Sequence, residues 1–170
     1  MNILKATQVN WLDYKNIRLK ALKEEPQSFG SSYEDHKDNT DSEWQQRLEE
    51  YKQGKKAWMF FAEENGKLIG MVGGWQEELD MQQGIVNIMG MYVVPEHRGK
   101  GISKLLLNAL LEELKKNASI KKVTLTVNTS KTSAFNLYKN LGFVEVDTKM
   151  EKMGDGNEYE VVEMEILMNY

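Results

Sequence analysis

The segment from Ile85 to Leu114 constrains this chain more than any other. Ile85-Val86-Asn87-Ile88-Met89-Gly90-Met91-Tyr92-Val93-Val94 is a nearly unbroken apolar run, long enough to cross a whole sheet as one strand. That character predicts burial on both faces. Gly90, in its interior, marks a bulge or a close backbone approach. Pro95 ends the strand, and Glu96-His97-Arg98-Gly99-Lys100-Gly101-Ile102-Ser103-Lys104 follows as a glycine-bearing turn. Leu105, Leu106, Ala109, Leu110 and Leu114 then lay an apolar stripe on a helix running to about Asn117.

Strand, glycine-rich turn and helix together form a physical device. A helix start leaves four backbone N–H groups without intrahelical partners, at the positive end of the helix dipole. Glycines let a phosphate approach that backbone closely. Arg98, Lys100 and Lys104 add mobile positive charge. The turn therefore suits a phosphorylated ligand held on main-chain donors. Two familiar phosphate motifs do not fit. The Walker loop needs a glycine, four residues, then Gly-Lys-Ser/Thr, and Gly99-Lys100-Gly101 lacks that spacing. The dinucleotide fingerprint needs a third glycine where Lys104 stands. Read without its surroundings, the turn is also compatible with glycines serving local geometry alone.

The rest of the chain narrows the class. Its 170 residues fit one domain, taken as 1–170, and 41% hydrophobic content supplies a core. No apolar stretch is long enough for a membrane span, and the first residues lack the apolar region of a secretory signal. The expectation is a cytoplasmic protein with no membrane partner. The absence of cysteine removes disulfide scaffolds, thiolate metal sites and cysteine nucleophiles, and two histidines make a histidine cage improbable, so no metal is expected. A net charge of −4 argues against a nucleic-acid partner. The charge is uneven. Seven acids face two bases between Glu34 and Glu50, and seven bases face three acids between Glu96 and Lys122. Solvated helix faces explain such runs as well as ligand halves of opposite sign do.

Element types alternate along the chain. A short strand is expected at 2–6, a helix at 10–24 stopped by Pro26, a loop at 27–33, and a helix from Asp41 or Ser42 to about Gln53. Ala57–Glu63 and Leu68–Trp75 read as a hairpin around Asn65-Gly66. Gly70, Gly73 and Gly74 weaken the return strand or mark bulges. Val123–Val127 alternates as a strand, and Lys131–Leu141 is a helix closed by Gly142. Phe143–Val146 and Tyr159–Met168 are terminal strands joined through Met153-Gly154-Asp155-Gly156-Asn157.

Met91 to Ser103 resembles the acetyl-coenzyme A signature of the GNAT family of N-acetyltransferases, Gln/Arg-x-x-Gly-x-Gly/Ala. Arg98 and Gly101 take the first two positions, and Ser103 stands where Gly or Ala is usual. A second landmark lies at the right separation. Ser133-Ala134-Phe135-Asn136-Leu137-Tyr138-Lys139-Asn140-Leu141-Gly142-Phe143 carries the family's Ala, Leu-Tyr and Leu-Gly-Phe, with Lys131 replacing an Asn. The resemblance covers Ile85 to Phe143. It implies an α/β fold of one domain: a mixed, mostly antiparallel central sheet of about six to seven strands flanked by about four helices.

The resemblance also implies roles. The diphosphate of acetyl-CoA, the cosubstrate, would sit on amides of Gly99, Lys100, Gly101, Ile102, Ser103 and Lys104, behind Arg98. Its pantetheine arm would pair with the backbone of Met91, Tyr92 and Val93, provided the long strand splays from the Val123–Val127 strand. Lys131 would reach a phosphate, and Asn136 belongs to the same cofactor-binding set. The Met91 amide would donate to the thioester oxyanion, and Tyr138 would act as general acid toward the leaving thiolate. The strand position where some relatives carry a glutamate base is Met89, which cannot serve. Glu77, Glu78 and Asp80, read as loop residues, and a water chain remain open as bases. Phe29, Tyr33, Trp75 and Asn87 are substrate-binding candidates, with Ser31, Ser32 and Trp44 beside them. The acidic Glu34–Glu50 run would attract a cationic amine such as a polyamine, an aminoglycoside or a peptide N-terminus. The expected activity is acetyl transfer to a primary amine of a small molecule by direct attack in a ternary complex. The alternatives are a protein N-terminal or lysine acetyltransferase and a noncatalytic acyl-CoA-binding module. A homodimer is a common family arrangement, and a monomer fits equally well.

Overall fold

A computed structural model describes residues 1–168. Residues 169 and 170 of the expected 1–170 domain lie outside the described residues. The strands are β1 (Asn2–Lys5), β2 (Ala57–Glu64), β3 (Lys67–Trp75), β4 (Ile85–Val93), β5 (Lys122–Asn128), β6 (Val144–Lys152) and β7 (Glu158–Leu167). The helices are α1 (Trp11–Glu24), α2 (Asp41–Gln53), α3 (Glu78–Gln83), α4 (Ile102–Leu114) and α5 (Thr132–Asn140). The strands form one sheet in the order β1-β2-β3-β4-β5-β7-β6. Only β4 and β5 run parallel. This is the mixed, mostly antiparallel α/β architecture expected, with the six-residue α3 as an added helix.

Local chemistry accounts for the helix boundaries. Asn10 Oδ1 accepts from the Asp13 amide at the start of α1. Thr40 and Glu43 make a reciprocal capping box on α2, and Gly54 ends it in a left-handed conformation. The two helices meet at Tyr14, whose ring lies edge-on to Trp44, Tyr51 and Phe61 at 5.5, 5.8 and 6.0 Å. Trp44 is fully buried in this cluster, so it is core and not a substrate contact. The apolar stripe of α4 buries Leu106, Leu107, Leu110 and Leu114 completely. A Cβ on Gly70 would lie 3.1 Å from Leu106 Cδ1, and one on Gly74 only 2.9 Å from Val86 Cγ1, so the β3 glycines permit close layering.

The sheet divides at β4. Parallel pairing with β5 covers only Ile85–Asn87 against Lys122–Thr124. Beyond Asn87, β4 stays with β3, whereas β5 stays with β7 along its whole length. A register shift in the β3–β4 pair sets Gly90 and Met91 opposite Val72, and Gly90 takes φ +67°. This bulge bends β4 away from β5. The expected burial of β4 on both faces is therefore corrected. Val86, Tyr92 and Val93 are buried, while Ile88 to Met91 face the opening and are only partly covered.

Two other expectations change. Glu77–Gln83 is not a plain loop: Glu77 and Asp80 cap the short α3. The strand expected at 143–146 extends as β6 to Lys152, paired with β7 through Lys152↔Glu158. Its residues are nearly all exposed, as suits a charged edge strand, so no apolar alternation announces it.

Candidate active site

The fork between β4 and β5 opens onto three adjoining cavities. The first, ≈ 760 Å³, runs from Met91, Tyr92 and Val93 past Arg98, Gly99, Gly101, Ile102, Ser103 and Lys104 to Lys131 and Leu137. The second, ≈ 330 Å³, fills the fork between Ile88–Met91 and Leu125–Asn128 and reaches Phe29, Tyr138 and Glu151. Met91, Lys131 and Ala134 line both. The third, ≈ 350 Å³, lies under Trp75 and Met59, between Arg18, Arg47 and Glu50. It shares Arg18, Ser31, Met89 and Gly90 with the fork.

The first cavity is built for an anion. Gly101, at φ +77°, starts α4 without any side-chain cap, and the first turn of α4 carries no acid. Helices α1 and α2 both have capping side chains. The α4 start thus presents open amides beside Arg98, Lys104 and Lys131. Glu25 holds two of these cations. Arg98 Nη1 lies 2.9 Å and Lys131 Nζ 2.7 Å from its carboxylate oxygens. Burial opposes its ionisation, yet the hydrogen bonds from Lys131 and Arg98 prevail and hold its carboxyl below the ordinary range. Arg98 Nε also donates to the Val93 carbonyl at 2.9 Å, so that carbonyl is already engaged. Tyr92 is buried, and its hydroxyl donates to Glu24. Burial and that carboxylate together push the Tyr92 phenol well above its usual range.

Tyr138 enters the fork from α5, its ring edge-on to Phe143 at 5.9 Å. Burial alone pushes its phenol up to about 12. The hydroxyl is a protonated donor at neutral pH, with no side-chain partner among the described residues. Phe29 also lines the fork, and Trp75 lines the third cavity. Lys100 and Asn136 are exposed and line neither the fork nor the first cavity. Tyr33 lies outside these cavities, with Lys23 Nζ over its ring at 5.9 Å. Asn87 sits where β4 still pairs with β5. Its amide donates to Asp80 at 2.7 Å and accepts from Thr124 Oγ1 at 2.5 Å. The structure therefore does not bring Tyr33 or Asn87 into the site. Among the described residues no group of three or more metal-ligating side chains occurs.

The acidic run does not face the acceptor side as a field of free charge. Glu34, Asp41 and Glu49 pair with lysines. Asp35 and Glu43 serve as caps for Ser32 and Thr40. Of the run's acids, only Glu50 lines the third cavity, where Arg18 and Arg47 outnumber it.

Three site residues escaped sequence reasoning. Glu25 follows a helix and precedes a proline, with no motif around it. Glu151 belongs to the unannounced edge strand. Arg18 did leave a signal: it falls four residues after Tyr14 and four before Leu22, on the buried stripe of α1. A base in such a stripe asks for a partner.

The sequence pattern of the acetyltransferase (GNAT) family matches residues 19–143. An uncharacterised N-acetyltransferase of Methanocaldococcus jannaschii is 34% identical over 89 residues, 51% of this chain but 38% of that protein's length. An N-alpha-acetyltransferase of Sulfurisphaera tokodaii is 30% identical over 120 residues, 66% of this chain and 70% of its own. A structure from Salmonella typhimurium solved with its cofactor acetyl-CoA superposes with a TM-score of 0.80 at 18% identity, covering 100% of this chain and 95% of the other. The matched span includes β4, the α4 turn, β5 and Tyr138, and the chain belongs to the GNAT family of acetyltransferases.

Proposed function

We propose that this protein transfers the acetyl group of acetyl-CoA to a primary amine of a small molecule, by direct attack with both substrates bound. The carrying observation is the parting of β4 from β5 after Asn87, which puts Met91 and Tyr138 on the walls of one cavity. The first cavity suits the nucleotide end: open α4 amides, Arg98, Lys104 and Lys131 all favour a diphosphate. The acetyl thioester supplies an activated acyl carbon. The Met91 amide donates to the carbonyl oxygen as negative charge gathers there, a contribution typically worth roughly 3–4 kcal/mol. The amine nitrogen forms the new C–N bond and the C–S bond breaks. Tyr138 gives its proton to the departing sulfur, and the proton lost by nitrogen restores the phenol.

A protein amine is the second reading, favoured by the N-alpha-acetyltransferase relative. The geometry supports the small molecule better. The Gly154 amide donates to the Phe29 carbonyl at 2.7 Å, and Asn128 Nδ2 to the Gln27 carbonyl at 3.3 Å. These bonds draw the 27–32 segment across the acceptor side of the fork. A library of small amines and peptides, incubated with acetyl-CoA and read by thiol release and product mass, tests the reading. Acetylated small amines support it; peptides used in preference replace it with the second reading.

A further inference from the structure

Two side chains of opposite charge line the fork cavity, Arg18 and Glu151, and each carries one buried terminal atom, Nη1 and Oε2, without a hydrogen-bond partner among the described residues. They come from elements far apart in the chain, Arg18 from α1 and Glu151 from the edge strand β6. Arg18 is fixed in place. Its Nη2 donates to Ser31 Oγ at 3.1 Å, and its guanidinium lies over the Phe29 ring at 5.0 Å. No carboxylate of the protein pairs with it among the described residues. Lys149 Nζ stands 3.9 Å from Glu151 Oε2, beyond hydrogen-bond reach. The Arg18 guanidinium end left in this state is costly unless something else completes it, whereas the Glu151 side chain is 35% exposed and only its Oε2 is shut off from solvent. Met91 and Tyr138 share the cavity, so whatever completes them is held where acyl transfer would occur.

A purely cationic amine suits this cavity poorly. Such a ligand would place charge against Arg18, and Arg47 adds a second base in the adjoining cavity against the single acid Glu50. A molecule bearing both an ammonium and a carboxylate answers both orphaned atoms. A volume of ≈ 330 Å³ is the size for such a molecule and small for a polypeptide segment. We propose that the acceptor is a free amino acid or a close analogue, its carboxylate on Arg18 and its amine at Glu151. The Glu151 carboxylate takes one proton from the ammonium. The freed lone pair then forms the C–N bond, and Glu151 later releases its proton to solvent. The proposal deepens the acetyltransferase reading and rests on it.

The test compares free amino acids, their carboxamides and simple diamines as acceptors with acetyl-CoA. The expected result is a kcat/KM for the best acid at least about tenfold above that of its carboxamide. Arg18→Gln should bring that ratio to about one. Glu151→Gln should lower kcat for acid and amide alike by about a hundredfold, with coenzyme A affinity kept within about twofold. Carboxamides or diamines used by the unaltered protein as well as acids would overturn the proposal, and that comparison needs no variant to fold. If no amine is acetylated at all, the acetyltransferase reading fails. Calorimetry with the same compounds then still decides the site. Acids binding in preference to carboxamides support it, and equal or absent binding overturns it.

Discussion

Thr124 Oγ1 donates to Asn87 Oδ1 at 2.5 Å, at the last residue pair joining β4 to β5. The other end of the Asn87 amide is held by Asp80 at 2.7 Å. One side chain thus ties two strands and α3 together at the base of the fork. Everything beyond it opens, because β3 keeps β4 and β7 keeps β5.

Asn87→Ala should therefore loosen the fork from its base. It leaves the buried Thr124 hydroxyl without its partner and takes from Asp80 one of its two donors, a cost of about 1–3 kcal/mol. Thermal melting should show a fall of several degrees, together with weaker coenzyme A binding by calorimetry. An unchanged melting temperature would mean that backbone pairing alone sets where the strands part.

Tyr138→Phe keeps the ring against Phe143 and removes only the hydroxyl. The expected loss in kcat is about a hundredfold or more, with coenzyme A affinity within about twofold. Burial holds the phenol protonated up to about 12, so Tyr138 itself imposes no fall in kcat until the pH nears that value. Steady-state kinetics over pH check both statements. An unaltered kcat would remove the acid role.

Alkaline conditions should destabilise the fold in a defined direction. Burial is the first cause that raises the phenols of Tyr138, Tyr51 and Tyr92. Above a pH of about 10 the unfolded chain sheds phenolic protons that the folded chain keeps. The unfolded state then binds fewer protons, so stability falls as pH rises. Tyr138 alone accounts for roughly 2 kcal/mol by a pH of about 12. Urea midpoints measured at about pH 8 and about pH 11 should fall accordingly, and less steeply in Tyr138→Phe.

Glu25→Gln removes the carboxylate that pairs with Arg98 and Lys131. Both cations lose a competitor of the same sign as a diphosphate. Coenzyme A should bind about fivefold more tightly, roughly 1 kcal/mol, and the gain should shrink with added salt. Calorimetry at two salt concentrations checks this. Weaker binding would mean that Glu25 positions the two cations more than it competes for them.

Much of the fold and part of the site were legible in the sequence. The β4–turn–α4 unit declared itself because an apolar run, Pro95 and glycines fall in a strict order, and each has a backbone consequence. The Asn65-Gly66 hairpin and Gly90 were legible for the same reason: positive φ leaves few residue choices. β6 was hidden past Val146 because an exposed edge strand is held by main-chain pairing, which leaves no side-chain period. Glu25 and Glu151 were hidden because their importance lies in groups brought from far along the chain. The acidic run misled for a related reason: most of its charges are spent on caps and lysines close by in sequence. Asn87 looked like a cleft residue because it lies on β4, but the strand has not yet parted where it sits.

The most direct test is a crystal structure with acetyl-CoA bound. Diphosphate oxygens should lie within about 3 Å of the amides at the Gly101–Lys104 helix start, with the acetyl carbonyl at the Met91 amide beside Tyr138. A nucleotide seated elsewhere, or an acetyl group outside the β4–β5 fork, would contradict the proposed acetyl transfer.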